Sequence, residues 1–263
     1  MKNNMTRENV KKADMQEAQY TFPYHYIPHI DSNGTPRISR RLLWGLEYLC
    51  YQQYIKEKVM AMEPVSVLEV GCGDGYFIGG LPAEIKRVGV DTSEKAIAFA
   101  KAFHPGCVFV NSDAKEVSGK FQVVAAIEVL EHIPDEGIGN FINTLASKVE
   151  DNGCIILSVP TTVVPVNKKH HRHYTLELLQ QQLKQCDYKL NIVEVNYIYA
   201  KPWWYDLFAR LLDNKLFSLE IKPLMKFAHR KIVQKYLTVN AAIGNHLVAI
   251  IFKDNIDSQK NLK

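Results

Sequence analysis

Two short runs of this chain carry the residues best suited to chemistry. Glu128-Val129-Leu130-Glu131-His132 places two carboxylates and an imidazole close together, and Lys169-His170-His171-Arg172-His173 adds three more imidazoles. Such groups can hold a divalent cation through oxygen and nitrogen donors, or one histidine, His132 or His173, can act as a general base on a hydroxyl. The structural alternative is that E-V-L-E-H-I-P-D is framework and that H-R-H-Y-T only sets the start of a helix. A third run, Val67 to Gly75, reads V-L-E-V-G-C-G-D-G: an apolar strand that ends on an acid and opens into a glycine turn. Gly71, Gly73 and Gly75 let the backbone turn with positive φ and approach a ligand closely. The N-terminus of the helix expected next would suit the anionic part of a nucleotide-like ligand.

The elements that must position these residues alternate between strand and helix. Val65, Val67, Leu68 and Val70 suit a strand buried on both faces. Further strands are expected at Ile85 to Val90, Cys107 to Val110, Phe121 to Ile127, Cys154 to Val159, Leu190 to Tyr197 and His246 to Phe252. Helices are expected at Ser39 to Met60, after Thr92-Ser93-Glu94, from Asp135 through Glu150, and at Tyr174 to Cys186 with Thr175 as cap; Asp151-Asn152-Gly153 reads as a turn. Strands alternating with helices imply a doubly wound α/β sheet with helices on both faces. Both histidine-bearing runs then follow carboxyl ends of parallel strands, where open α/β sheets place ligands.

Composition narrows the setting. A length of 263 residues with 47% hydrophobic content allows one sizeable core, and a net charge of +4 leaves nucleic acid undecided. Five scattered cysteines without a C-x-x-C pair argue against a disulfide framework or a structural zinc, and suggest a cytoplasmic protein. The polar N-terminus has no signal-like apolar region, and residues 1 to about 18 lack periodicity and are expected to be loose. The aromatic run from Tyr20 to Tyr26 is expected to pack over a helix edge or to form a lid. Residues 1–38 are thus read as an extension, and 39–263 as a domain with a helical insertion at about 198–243.

Tyr76 stands where G-x-G-x-x-G would need its third glycine, and no G-K-S or G-K-T follows the turn. The combination of V-L-E-V-G-C-G-D-G-Y, G-V-D-T-S at Gly89 to Ser93, N-S-D-A at Asn111 to Ala114, and F-Q-V-V-A-A-I-E-V-L-E-H-I-P-D at Phe121 to Asp135 resembles the class I S-adenosylmethionine-dependent methyltransferases. The resemblance covers roughly residues 60 to 190. It implies a Rossmann-like seven-stranded sheet whose last strand is antiparallel, with S-adenosylmethionine bound at the glycine turn. By the same resemblance, Glu69, the Gly71-Cys72-Gly73 backbone and Glu128 would face the methionine moiety, and Asp91 the ribose hydroxyls. Thr92 would lie against the adenine, whose amino group Asp113 would accept while the Ala114 amide donates to the ring. The E-x-x-E-H run is similar to that of metal-dependent members, including ubiquinone-pathway O-methyltransferases, so a divalent cation such as Mg2+ is a further expectation.

The acceptor must be read elsewhere. Between Ile198 and Tyr236 eight cations stand against three acids, together with Trp203, Trp204, Tyr205, Phe208, Phe217 and Phe227. This segment could touch anionic membrane, grip a phosphorylated substrate, or be an ordinary helical hairpin with its aromatics inward. A pocket under Trp203 and Trp204 is a candidate acceptor site. The expected activity is O-methylation of a small-molecule, lipid-linked or saccharide hydroxyl. The alternatives are an RNA methyltransferase, disfavoured because no added RNA-binding domain is visible, and a non-catalytic cofactor-binding subunit.

Overall fold

The structure, a computed structural model, describes residues 7–18, 28–30, 36–38, 42–214 and 216–253. Its centre is β3 (Ser66–Val70), every residue of which is buried. This is the strand whose near-continuous apolar run demanded cover on both faces, except that Val65, expected in that run, precedes the strand and is exposed. On one side β3 pairs in parallel with β4 (Lys86–Asp91), which pairs with β5 (Val108–Asn111); on the other it pairs with β6 (Phe121–Ile127), followed by β7 (Val149–Pro160). β10 (His246–Lys253) runs antiparallel between β7 and β8 (Leu190–Ile198). The two-residue β9 (Thr238–Val239) adds an antiparallel edge beyond β8, so the expected seven strands become eight. A separate backbone ladder joins β1 (Pro28–Ile30) to β2 (Pro36–Ile38).

Two apolar layers sandwich this sheet. One packs α2 (Leu42–Met60) over Val67, Val123 and Ile156; the other packs α5 (Ile138–Lys148) and α6 (Leu176–Leu183) over Leu68, Val124 and Leu157. Alternate residues of the same strands thus enter opposite layers, as the two-residue period of a pleated strand requires. α4 (Glu94–Phe103) starts at Ser93, whose hydroxyl accepts from the Ala96 amide, and α6 starts at Thr175, whose hydroxyl accepts from Leu178. Both caps fall at the expected positions.

Three local expectations change. The helix after the glycine turn is a single turn, α3 (Tyr76–Gly79). Asp151-Asn152-Gly153 lies inside β7, where the register with β6 shifts; a Cβ at Gly153 would stand 2.5 Å from the Gln122 carbonyl oxygen, so its glycine marks close strand contact, not a reversal. Residues 7–17, expected to be loose, form α1 (Arg7–Glu17). Polar contacts hold this helix: Asn9 donates to Glu136, Lys12 donates to the His170 carbonyl, and Glu17 lies 3.9 Å from Lys95. An apolar period could not announce it. The aromatic run 20–26 lies outside the described residues.

The insertion between β8 and β10 contains α7 (Tyr205–Leu212) and α8 (Lys222–Lys235). Its stem is closed by backbone hydrogen bonds from Tyr199 to Leu237, Ala200 to Tyr236 and Asn245 to Tyr199.

The glycine turn gives a stability test. Gly75 has φ 79°, and an added Cβ would lie 2.7 Å from the Phe109 ring, whereas Gly119, at φ 89°, has open space. Gly119→Ala should cost about 1–2 kcal/mol of backbone strain. Gly75→Ala should cost about 2–4 kcal/mol, since overpacking adds to the strain. Urea denaturation of both variants measures the difference; equal losses would refute the packing argument.

Candidate active site

At the carboxyl ends of β3 and β6 the loops part around a cavity of about 300 Å³. Its floor is the glycine turn, with φ of 74°, 54° and 79° at Gly71, Gly73 and Gly75. The turn is pinned from the next strand: Asp91 accepts from the Gly73 amide at 2.9 Å through one carboxylate oxygen and from the Ser93 amide at 2.8 Å through the other. Burial raises the Asp91 pKa, and these two amides oppose that rise. Glu69, buried at the end of β3, accepts from the Ile78 amide at 3.1 Å. Burial, with Asp74 and Asp91 nearby, holds its carboxyl well above the usual range. A cation entering the cavity would relieve that cost.

The opposite wall rests on an ion triad. Glu47 reaches across from α2 to His246 Nε2 at 3.0 Å, and His246 Nδ1 lies 3.1 Å from Glu128. Asn245 donates to Glu47 at 2.7 Å and Ser158 donates to Glu128 at 2.5 Å. Burial alone would lower the His246 pKa, but the Glu128 and Glu47 carboxylates overturn this and raise it to about 10. Its imidazole is therefore a cation at neutral pH. Glu128 itself has φ 54°, a left-handed conformation uncommon outside glycine. Its amide donates to the Ser158 carbonyl at 2.9 Å, so both its backbone and its side chain are fixed from β7.

Beyond Glu128 the two histidine-bearing loops are clipped together. Arg172 donates to the Ile133 carbonyl at 2.7 Å and pairs with Asp135 at 2.6 Å, while the His171 amide donates to the Glu131 carbonyl at 2.8 Å. This brings Glu131, His132 and His170 together, one ligand atom of each within 4.8 Å of the other two. Glu131 is 1% exposed, and its Oε2 has no hydrogen-bond partner. Burial and the Glu128 carboxylate hold its pKa well above the usual range. Burial and the Lys169 ammonium push His132 down to about 4, and burial with the neighbouring His132 and His173 rings pushes His170 to about 3.

Of the residues expected at a site, Glu69, Gly71, Cys72, Gly73, Glu128 and His132 line the cavity, with Glu131 and His170. Asp91 stands directly behind its floor. Thr92 follows at the tip of β4; Asp113 caps the short turn Ala114–Glu116 beyond β5, and Ala114 is buried beneath it. His173 is buried behind His170, its Nδ1 at 2.8 Å from the Val164 carbonyl and its Nε2 at 2.8 Å from His170. Trp203 is 87% exposed and Trp204 packs against Phe208, so the cavity forms against α2, not under the tryptophans. Sequence reading missed Glu47, His246 and the α1 contribution, Gln16. For His246 a signal existed: a histidine opening an otherwise apolar strand at its ligand-facing end. Glu47 had none.

The sheet order, with an antiparallel strand set between the last two parallel ones and a carboxylate-rich cavity at a glycine turn, defines a Rossmann-like methyltransferase fold. A family model described as a methyltransferase domain matches residues 51–220, and the chain belongs to the class I S-adenosylmethionine-dependent methyltransferases. Membership implies S-adenosylmethionine binding. Among curated proteins, a probable S-adenosylmethionine-dependent methyltransferase of Mycobacterium tuberculosis is 26% identical over 128 residues, 44% of this chain and 46% of that protein. A ubiquinone biosynthesis O-methyltransferase of Dechloromonas aromatica is 30% identical over 111 residues, 39% of this chain and 47% of the relative. The chain spans about half the length of the curated relatives it matches. Among solved structures, magnesium protoporphyrin IX methyltransferase from Synechocystis with bound S-adenosylmethionine superposes with a TM-score of 0.56 at 15% identity, covering 95% of this chain and 99% of the other.

The triad makes a signed prediction. His246 has a folded-state pKa of about 10, against about 6.5 unfolded. The stability it contributes is therefore complete below about pH 6.5 and lost as pH rises toward 10. Melting temperatures of the wild type should fall over that window, and His246→Gln should flatten the fall while costing about 3–5 kcal/mol at pH 7, because it strands two carboxylates. A wild type whose stability rises between pH 7 and 10 would refute the charged imidazole.

Proposed function

We propose that this protein transfers a methyl group from S-adenosylmethionine to a hydroxyl oxygen of a small-molecule or lipid-linked acceptor. The observation that carries this reading is the cluster of Glu131, His132 and His170 beside the glycine turn, because a hydroxyl, unlike a thiol or an amine, needs help losing its proton. The donor supplies a methyl group that already carries its leaving group, so the protein's part in the in-line displacement is mainly positioning. Glu69 and the glycine turn would hold the amino-acid end, and Asp91, at the tip of β4, the ribose hydroxyls. The acidic side chains of Glu69, Asp74 and Glu128 in the lining would favour a cationic donor over its neutral product. The modest cavity volume, with Gln16 of α1 in its lining, suits a small acceptor group. The name of the Dechloromonas aromatica ubiquinone biosynthesis O-methyltransferase, 30% identical over its matched part, supports an oxygen acceptor.

The same cluster fits a divalent cation better than it fits a lone base. At a pKa of about 4, His132 is a weak proton acceptor, yet it presents an unprotonated nitrogen at neutral pH. The buried Glu131 oxygen without a hydrogen-bond partner is an oxygen donor for such an ion, whose charge would offset the burial that raises the Glu131 pKa. Glu131, His132 and His170 would hold the cation, which would supply Lewis-acid polarisation of the acceptor oxygen. Glu128, already engaged by His246 and Ser158, would stay with the methyl donor.

Calorimetric titration with S-adenosylmethionine should show one site, weakened at least tenfold by Asp91→Ala, a loss of about 1.4 kcal/mol. Methyl transfer to phenolic, saccharide and polar-lipid hydroxyls should fall about a hundredfold or more in Glu131→Gln and His132→Ala, with donor affinity nearly unchanged. Chelation should abolish transfer, and a divalent ion should restore it. Absence of donor binding would sink the whole reading; full activity in chelator would sink only the cation.

A further inference from the structure

The insertion between β8 and β10 shows two kinds of apolar residue. Trp204, Tyr205 and Phe208 pack on the core, but Trp203, Leu207 and Leu211, spaced by four, form an outward stripe that is 87%, 63% and 62% exposed. Past α7 the chain doubles back: Asp213 bridges Ser218, and the Leu219 amide donates to the Leu212 carbonyl at 2.7 Å. That reversal lifts Leu216 and Phe217 to its tip, with Leu216 91% exposed. Exposed apolar side chains on one stripe and one tip, rather than scattered singly, mark a contact surface.

Charge decides what the surface meets. Arg210 lies on the exposed side of α7, and Lys222, Lys226 and Arg230 are exposed along α8. Among the described residues from 198 to 236, seven cations face three acids, one of which, Asp206, is paired with Lys201 at 2.5 Å. A second copy docked by twofold symmetry would set these cations against their own images. An anionic bilayer satisfies both halves, with apolar groups in the interface, tryptophan at its preferred depth and cations on lipid phosphates. No helix among the described residues is long and apolar enough to cross a membrane, so such contact lies along the surface. Lys222, Lys226, His229 and Glu220 also rim an apolar slot of about 290 Å³, lined by Leu46, Leu49 and Met225, between α8 and α2.

We propose that this insertion docks the protein on an anionic bilayer, with Trp203, Leu207, Leu211 and the Leu216-Phe217 tip in the interface and Lys222, Lys226 and Arg210 on headgroup phosphates. The inference goes beyond the reaction proposed above and stands without it. Together they would bring a lipid-linked acceptor to α2, whose Leu46 faces the slot and whose Glu47 faces the cavity.

The test is co-sedimentation of the full chain with vesicles of phosphatidylcholine alone or mixed equally with phosphatidylglycerol. Binding is expected only with phosphatidylglycerol, weakening as salt is raised. Leu207→Glu with Leu211→Glu should abolish it, and Lys222→Ala and Lys226→Ala should each weaken it about fivefold. The single lysine changes, on exposed side chains, guard against mistaking unfolding for lost docking, as does S-adenosylmethionine binding retained by the double variant. Absence of binding to phosphatidylglycerol vesicles, undiminished binding of the double variant, or a stable dimer in solution that this variant separates would each overturn the proposal. None of these outcomes bears on donor binding, so failure here is distinct from failure of the proposed reaction.

Discussion

One imidazolium between two carboxylates ties together parts of the chain that would otherwise meet only through apolar contact. His246 opens the last strand, Glu128 ends β6, and Glu47 stands on α2, 199 positions before the histidine. Two partly buried carboxylates facing one imidazole would repel each other without a cation between them, and His246 holds the Glu47 carboxyl below its usual range against the burial that would raise it. The left-handed backbone at Glu128 depends on the same arrangement, since strain there persists only where the surroundings over-determine the conformation. Through His246, the start of the last strand, the end of β6 and α2 are thus joined by charge at the wall of the cavity.

The other side of the cavity follows a different logic. Around the glycine turn the balance is acidic, and burial with Asp74 and Asp91 nearby pushes the Glu69 carboxyl well above its usual range. A site built this way is energetically unfinished until a positive ligand enters. The methyl donor is positive and its product is not, so the same feature that favours binding also favours release after transfer.

How much of this was legible in the sequence depends on what held each part. β3, β4 and β6 announced themselves because they are buried on both faces, and the caps at Ser93 and Thr175 because local hydrogen bonding needs only adjacent residues. The floor of the site was legible for the same reason: Gly71, Cys72 and Gly73 sit on one turn, and Asp91 one strand away. Glu47 was not, because its partner is distant in sequence and α2 alone gives no hint of which glutamate turns inward. α1 was hidden because its contacts to Glu136, His170 and Lys95 are polar and carry no period. Asp151-Asn152-Gly153 misled because turn chemistry and bulge chemistry use the same residues. The two histidine clusters were seen as chemistry, but only the Arg172 clip shows which histidines meet.

The closed stem of the insertion has a consequence for how such a protein can change over evolutionary time. Tyr199, Ala200 and Asn245 tie the two ends of the segment together at the edge of the sheet, so its exposed positions, Trp203, Leu207, Leu211 and Leu216, can vary without breaking that ladder, whereas Trp204, Tyr205 and Phe208 are held by the core. The cavity floor, built from the ends of β3 and β4, lies on the other half of the sheet. Changes confined to those exposed positions therefore alter the surface this segment presents while leaving the cavity in place, a separation of address from activity written into the hydrogen bonding of one short ladder.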